Sequence, residues 1–486
     1  MGRLDTHLPL ALFVVSVALI VVANSFCVFV AGALLGTSIG LYTLILVLRR
    51  PRLIRFGNTL AVALLFLYAL GTVIYLFYSS LVFGHASIQS GAFPITYGQD
   101  DISIALAMVC AVCGLLLLFS RFERPAFGAP PRTSDFARPR VRLLMLICVA
   151  ITLAALVTGN LGYGGISVNQ ARRISALGAI SFLLAPVVPP LALLCLFAES
   201  KRFWKAVYCL IMTLVLACLF IMGRRVLLAS IVMTIFTYAL AGRRPAVNAL
   251  ARWIRNAVLL GALGTVVYFG LLFFYSVRLA GWEHTQKVPL SLQMDEAVQL
   301  LSSRMGRVQG ALAGNLGQRP FELSYLAGLV HAHKDHPPLD GGLALYSLEM
   351  AVPSKFYPEK TSVLPKIQED ITHTSLALPI FDGPNTLITA SLNDFGFAGA
   401  FIYPLLAVLV FSFIARMLIG RLPPFLYYLA TLRLIYMCLY AEAGLSAVLT
   451  VGLRNLAIMM LLLLLVWKIP YRRAAGIYCG RRISTA

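Results

Sequence analysis

Apolar positions run along this chain in long unbroken stretches, separated by short segments rich in Arg and Lys. Residues 8 to 48 include no charged side chain. As one helix they would reach roughly 60 Å, twice the ~30 Å hydrocarbon core of a bilayer. The stretch must therefore fold back, most simply near Asn24 and Ser25, and it is too long for a cleaved signal peptide. The same reading predicts twelve spans, at 8–23, 27–48, 58–82, 102–120, 143–159, 177–198, 206–223, 226–241, 257–277, 388–415, 424–441 and 449–467. The expected fold is all-α: a polytopic integral membrane protein of about 12 transmembrane helices with one large helical periplasmic loop. Residues 1–277 hold helices 1–9, 278–387 the loop, and 388–486 helices 10–12 and a tail, in one membrane domain.

Composition agrees. The chain is 60% hydrophobic and 12% charged, against about 25% charged in soluble domains. Its formal net charge is +21, and the excess falls in RRPRLIR, RFERPAFGAPPRTSDFARPRVR, SKRFWK, GRRPAVNALARWIRN and the C-terminal tail, all on one side of the predicted spans. Basic loops mark the cytoplasmic face, so both termini are expected there. The acids on that face are only Asp5, Glu123, Asp135 and Glu199. This pattern reflects topology and anionic lipid and carries no nucleic-acid signal. None of the nine cysteines falls in an outer loop, so no disulfide framework is implied.

Some arginines run against the bias. The apolar run from Ala206 to Ala241 is nearly two membrane widths long and carries Arg224 and Arg225 at its middle, where a hairpin bend brings them to the outer surface. That position avoids about 2.5–3.5 kcal/mol per Arg at mid-bilayer. Arg172 and Arg173 also emerge outside, and Arg433 falls within span eleven with Arg454 a turn inside span twelve. Snorkelling to headgroups is the plain alternative for each outer arginine.

The outer loop opens with SLQMDEAVQLLSSRMGRVQGAL. There Met294, Val298, Leu301, Met305, Val308 and Leu312 predict one amphipathic helix flanked by Arg304 and Arg307. Next, HAHKDH groups His331, His333 and His336, a spacing more often incidental than metal-binding. Further on, Pro353 and Pro358 hold LYSLEMAVPSKFYPEK extended, presenting Lys355 and Lys360. The chain enters span ten through Asn385, Thr386, Ser391, Asn393 and Asp394. A polar-rich helix start at a membrane boundary is costly unless it lines a wet cavity.

The Pro-Lys-aromatic-Pro-x-Lys segment from Pro353 to Lys360, followed by Asn-Asp-Phe-Gly-Phe-Ala-Gly from Asn393 to Gly399, resembles the Wzy-type O-antigen and exopolysaccharide repeat-unit polymerases. The layout, with one long outer loop in the C-terminal half, resembles them too. This chain departs from the family pattern in having Ser354-Lys355 after Pro353 and Thr361 after Lys360. The resemblance implies a multi-pass glycosyltransferase of the bacterial inner membrane. It would join oligosaccharide repeat units carried on undecaprenyl pyrophosphate at the periplasmic face, the lipid pyrophosphate being the leaving group. Implied partners are that lipid-linked oligosaccharide, membrane lipids, and a flippase with a chain-length regulator or export complex; no cofactor is implied.

Such a reaction needs cations at the departing pyrophosphate, and Arg supplies a planar fork for its oxygens. Arg225 is the leading candidate, with Arg172, Arg173, Arg224, Arg278, Arg304, Arg307, Lys355 and Lys360 as companions and Asn385 and Asn393 as oligosaccharide contacts. Arg433 joins the catalytic candidates as an intramembrane charge. For a general base the outer segments offer Asp394, Glu442 and His373; Asp394 is equally readable as a helix cap. Asp100-Asp101 has no supporting metal pattern, so a metal-independent mechanism is the simpler expectation. An O-antigen ligase, with the same donor and another acceptor, and a lipid-linked oligosaccharide flippase are the alternatives.

Overall fold

The computed structural model describes residues 4–50, 53–83, 95–127, 133–136, 138–158, 176–222, 224–241, most of 268–280, 290–318, 321–353, 355–364, 368–381 and 383–468. Among them every regular element is helical. Helices α1 (Leu4–Val21) and α2 (Phe26–Arg49) form the expected hairpin, and Ser25 caps α2 by accepting from the Val28 N–H. Gly32, Gly36 and Gly40 sit one turn apart on α2. A Cβ at any of them would come within 3.1 Å of Leu19, Ala69 or Phe66 respectively. Small residues at that spacing let membrane helices approach closely, where packing rather than water drives association.

Helix α3 (Phe56–Leu65) passes through a π-turn at Phe66–Leu70 into α4 (Gly71–Phe83). Beside them stands α5 (Gln99–Phe119), which α1 follows closely, with the Ser16 hydroxyl donating to the Ala107 carbonyl at 2.8 Å. Next come α6 (Pro139–Val157), then α7 (Ala176–Leu184) joined by a short 3-10 turn to α8 (Val188–Ala198), then α9 (Arg202–Met222) and α10 (Arg224–Leu240). Among the described residues, six helices are long and apolar enough to cross a membrane, seven if one bent pair counts as a span, and shorter apolar helices cover His7–Val21, Arg225–Leu240 and Pro424–Leu439. This is the composition and length of an α-helical membrane protein. Of the expected spans, most of the ninth lies outside the described residues.

Contacts fix which elements share a face. The turn between α1 and α2 meets the start of α5, Ser103 donating to the Ala23 carbonyl at 2.7 Å. That start also holds His331 and Lys334 of the large loop. The loop therefore lies on the face opposite the α2 end at Arg49, as the charge pattern anticipated. On that opposite face, Glu123 accepts from the Gly57 N–H and from Ser412, while Arg142 pairs with Glu199 at 2.6 Å. Even the few acids of the basic face are thus used to tie helices together.

Three sequence expectations need correction. Residues 345–351 of the segment expected to be extended are helical, and a turn follows Pro353. The loop's first helix is not continuous: it breaks at Arg304 into α11 (Leu290–Ser303) and α12 (Met305–Gln318). Leu300, Val308 and Leu312 are buried in a small separate core with Leu272 and Tyr275, while Met294, Val298 and Met305 are exposed. Nor is the tenth span one rod. After α13 (Leu323–Ala332), α14 (Gly342–Ala351) and α15 (Gln368–Ser375), the chain enters α16 (Leu387–Gly399), which meets α17 (Ile402–Leu418) at a 116° bend. Gly396 adopts φ +68° inside α16, a left-handed conformation cheap only for glycine. The buried Ser391 hydroxyl holds the corner by donating to the Gly399 carbonyl and accepting from the Tyr403 N–H. The last elements are α18 (Pro424–Leu439) and α19 (Asn455–Lys468), the latter preceded by a short turn at Leu445–Ala447 and a π-turn at Val448–Arg454.

The loop does not stand alone as a domain. Every residue from Phe321 to Val330 is buried, α13 packs on α5, and the Phe321 ring stacks on Tyr75 at 4.1 Å. Gly383 lies against the fully buried Tyr325, where a Cβ would come within 2.7 Å of the ring. Gly383→Ala is therefore expected to destabilise the protein by about 1–3 kcal/mol, as overpacking does, read as a lowered melting temperature in detergent. An unchanged melt would mean the Tyr325 ring is free to move.

Candidate functional site

Much of the polar chemistry singled out in the loop turns out to fasten it. Asp394, fully buried, accepts from the Leu343 N–H at 2.8 Å and the Ala344 N–H at 3.0 Å, and also from the Tyr403 hydroxyl. It caps the N-terminus of α14, a neighbouring helix, where a carboxylate complements the helix dipole. Its oxygens are so engaged that the helix-cap reading describes the geometry seen. At the other end of α14, Lys360 donates to the carbonyls of Met350 (3.1 Å) and Val352 (2.5 Å), and Arg454 to those of Met350 (3.3 Å) and Ala351 (3.2 Å). One anion at the N-terminus and two cations at the C-terminus thus clamp α14. The Lys360 ammonium, expected to face substrate, is turned to backbone carbonyls in this clamp.

Three further motifs prove to be one. His331 Nδ1 meets Asp101 Oδ2 at 2.8 Å, and Lys334 pairs with Asp100 at 2.8 Å and Asp101 at 2.6 Å. His333 Nε2 reaches the Asn393 Oδ1 at 2.9 Å, and Asn393 Nδ2 donates to Thr372 at 3.1 Å. The HAHKDH segment therefore ties α5 to α16, with Asn393, expected as a sugar contact, buried in that link. No three His, Cys, Asp or Glu converge as a metal cluster among the described residues.

His373, the third base candidate, is fully buried; Nε2 lies 3.1 Å from the Tyr325 hydroxyl and its ring stacks on Phe381 at 4.4 Å. Burial lowers its pKa, partly offset by Asp370. The sign follows: below about pH 6.5 the unfolded chain takes up a proton that the folded one refuses, so stability is full above that value and falls beneath it. The wild type is expected to lose up to about 1.4 kcal/mol for each pH unit below 6.5 from this group. His373→Gln should show a shallower drop in melting temperature between pH 7.5 and 5.5; an equal slope would exclude His373 as the source.

A different group of charges faces open space. Arg225, at the start of α10 and 32% exposed, pairs with Glu322 at 2.8 Å and with Glu442. Glu322 enters α13 and is 2% exposed; Glu442 lies in the turn after α18 and is 12% exposed. The Glu442 Oε1 is buried with no hydrogen-bond partner among the described residues. Arg225 and Glu442 form the polar end of a cavity of about 250 Å³. Its other walls are mostly apolar, Leu44 and Val47 of α2, Val62 and Ala63 of α3, Leu67 of the π-turn, and Leu228, Val232 and Phe236 of α10, with Asn58 and Thr59 of α3 at the end away from the loop. From Arg225 to Phe236 the α10 wall is about 16 Å long, half the thickness of a hydrocarbon core. The charged end lies on the loop face, since Glu322 belongs to the loop.

Among the expected cations that the structure describes, only Arg225 lines this cavity. Arg304, Arg307 and Lys355 are exposed elsewhere on the loop. Arg172, Arg173, Arg278 and the Arg224 side chain lie outside the described residues. Among the described residues, the cavity's charged end is one arginine between two carboxylates. Asn385 does lie nearby: it packs against Gly444, two residues beyond Glu442. Arg433 is fully buried elsewhere in α18, with its guanidinium 4.4 Å above the Tyr436 ring and 5.7 Å from Phe182. It does not pair with Glu442, as their spacing anticipated. Sequence reasoning missed Glu322. Its one signal was a lone acid heading the apolar run LSYLAGLV, too short to span a membrane.

The chain matches no family model, no curated protein and no solved structure.

Proposed function

We propose that the protein is a polysaccharide polymerase of the bacterial inner membrane, joining oligosaccharide repeat units carried on undecaprenyl pyrophosphate at its periplasmic face. The observation that carries the reading is the cavity itself. It has a charged head of Arg225 and Glu442 on the loop face and apolar walls running into the membrane. That is the polarity of a lipid with a phosphorylated head, and an apolar site with few convergent polar groups is the usual form of a ligand pocket.

In the reaction, the bond between the anomeric carbon and the pyrophosphate oxygen breaks, and the pyrophosphate leaves with the electron pair. A new bond forms from that carbon to the acceptor hydroxyl oxygen, whose proton is taken by a base. Arg225 binds pyrophosphate oxygens in pairs and stabilises the charge they gain. Glu442 takes the proton through Oε1, an oxygen with no hydrogen-bond partner among the described residues. Glu322, buried and bonded to Arg225, positions the guanidinium. The donor's phosphate charge competes with Glu442 for Arg225, so donor binding would itself release the base.

The test is incubation of the purified protein in liposomes with a synthetic lipid-pyrophosphate oligosaccharide. A ladder of products is expected. Transfer only to an added lipid A core would favour a ligase, movement of unchanged substrate across the bilayer a flippase, and inert folded protein would overturn the proposal.

A further inference from the structure

Helix α14 buries one face and exposes the other. Leu343, Tyr346 and Ser347 face inward, whereas Leu345 is 61% exposed and Leu348 57%, and just beyond the helix Val352 is 37% and Phe356 78% exposed. The exposed positions 345, 348 and 352 are three and four apart, one helical face. Four large apolar side chains in one strip make a surface that soluble proteins seldom leave in water.

The clamp shows at what height this strip sits. Arg454 grips the Met350 and Ala351 carbonyls, and it lies nine residues into the apolar segment Leu445–Lys468 from its loop-side end. Nine residues correspond to about 13 Å along a helix, less the reach of the arginine side chain. The C-terminus of α14 thus lies below the level at which that span leaves the membrane. Amphipathic helices at an interface sink about 5–10 Å into the headgroup and acyl boundary, the same depth. α14 packs on the outer half of that segment, whose inner half exposes Ile458, Leu461 and Leu465.

We propose that α14 and the turn from Pro353 to Lys360 are embedded in the loop-side leaflet, with Leu345, Leu348, Val352 and Phe356 against lipid acyl chains. The exposed Lys355 then reaches headgroup phosphates, snorkelling from an apolar base. The loop segment becomes a fixed shelf in the membrane, held by Asp394, Lys360 and Arg454. The inference rests on the membrane reading alone and stands whatever reaction the protein performs.

Nitroxide labels test it, placed by Leu348→Cys or Phe356→Cys in a variant whose native cysteines are replaced, and reconstituted in phosphatidylcholine vesicles. Leu461→Cys serves as the lipid-facing reference and Asp335→Cys as the aqueous one. Labels at 348 and 356 should collide with oxygen as the 461 label does and lose collisions with a water-soluble nickel chelate. Nickel access equal to that at 335 would overturn the proposal, as would protection from both reagents. The unmodified protein gives a second reading through a phospholipid bearing a diazirine in its acyl chain. Adducts are expected on peptides from 342–363; adducts on 455–468 with none on 342–363 would equally overturn it.

Discussion

Glu442→Gln is expected to reduce ladder formation by roughly 10²–10⁴-fold, the usual cost of losing a general base, with the melting temperature essentially unchanged. The substitution keeps the shape of the side chain and leaves the Arg225–Glu322 pair in place, so its effect reports chemistry. Arg225→Ala should be as severe, by about 10²–10³-fold, but it also strands Glu322, a carboxylate 2% exposed. Breaking one partner of a buried pair costs about 3–5 kcal/mol. Arg225→Met combined with Glu322→Gln removes that burden, and it should melt near the wild type while remaining inactive. Wild-type rates in Glu442→Gln would remove Glu442 from the chemistry.

Asp394→Leu is expected to be the most damaging substitution for folding. It leaves the N–H groups of Leu343 and Ala344 and the hydroxyl of Tyr403 without their acceptor. Buried donors without partners cost about 1–3 kcal/mol each, so the loss is on the order of 3 kcal/mol or more. The protein should show a much lower melting temperature and earlier proteolysis around α14. Asp394→Asn should also destabilise, because an amide offers one acceptor oxygen where several donors converge. A variant that melts normally yet makes no polymer would return Asp394 to the base role that its bonding argues against.

These two residues show what the sequence carries and what it hides. Long uncharged runs made the membrane class, the hairpin at Ser25 and the pairing of α9 with α10 legible, because in lipid a helix is the simplest way to satisfy every backbone group. Arg225 was legible as a charge on the wrong side of a topological bias, and Glu442 as an acid at a span end. The partnership between them was not, since it joins elements some 217 positions apart, as 442 − 225 shows. Lys360, Arg454 and Asp394 looked like candidate chemistry for the same reason: only their convergence on the two ends of α14 reveals a clamp. The bend between α16 and α17 had a local signal in Gly396 and Gly399, but hydropathy alone averages across it.

The central claim is that the cavity beside Arg225 holds the lipid carrier. A polyprenyl pyrophosphate with a photoactivatable group in its first isoprene units, irradiated with the protein in liposomes, tests this most directly. Crosslinks are predicted on α2, α3 and α10, at residues such as Val47, Leu67 and Val232, and they should weaken sharply in the Arg225→Met, Glu322→Gln variant. Crosslinks confined to other helices, or equal labelling by an uncharged polyprenol, would contradict the account.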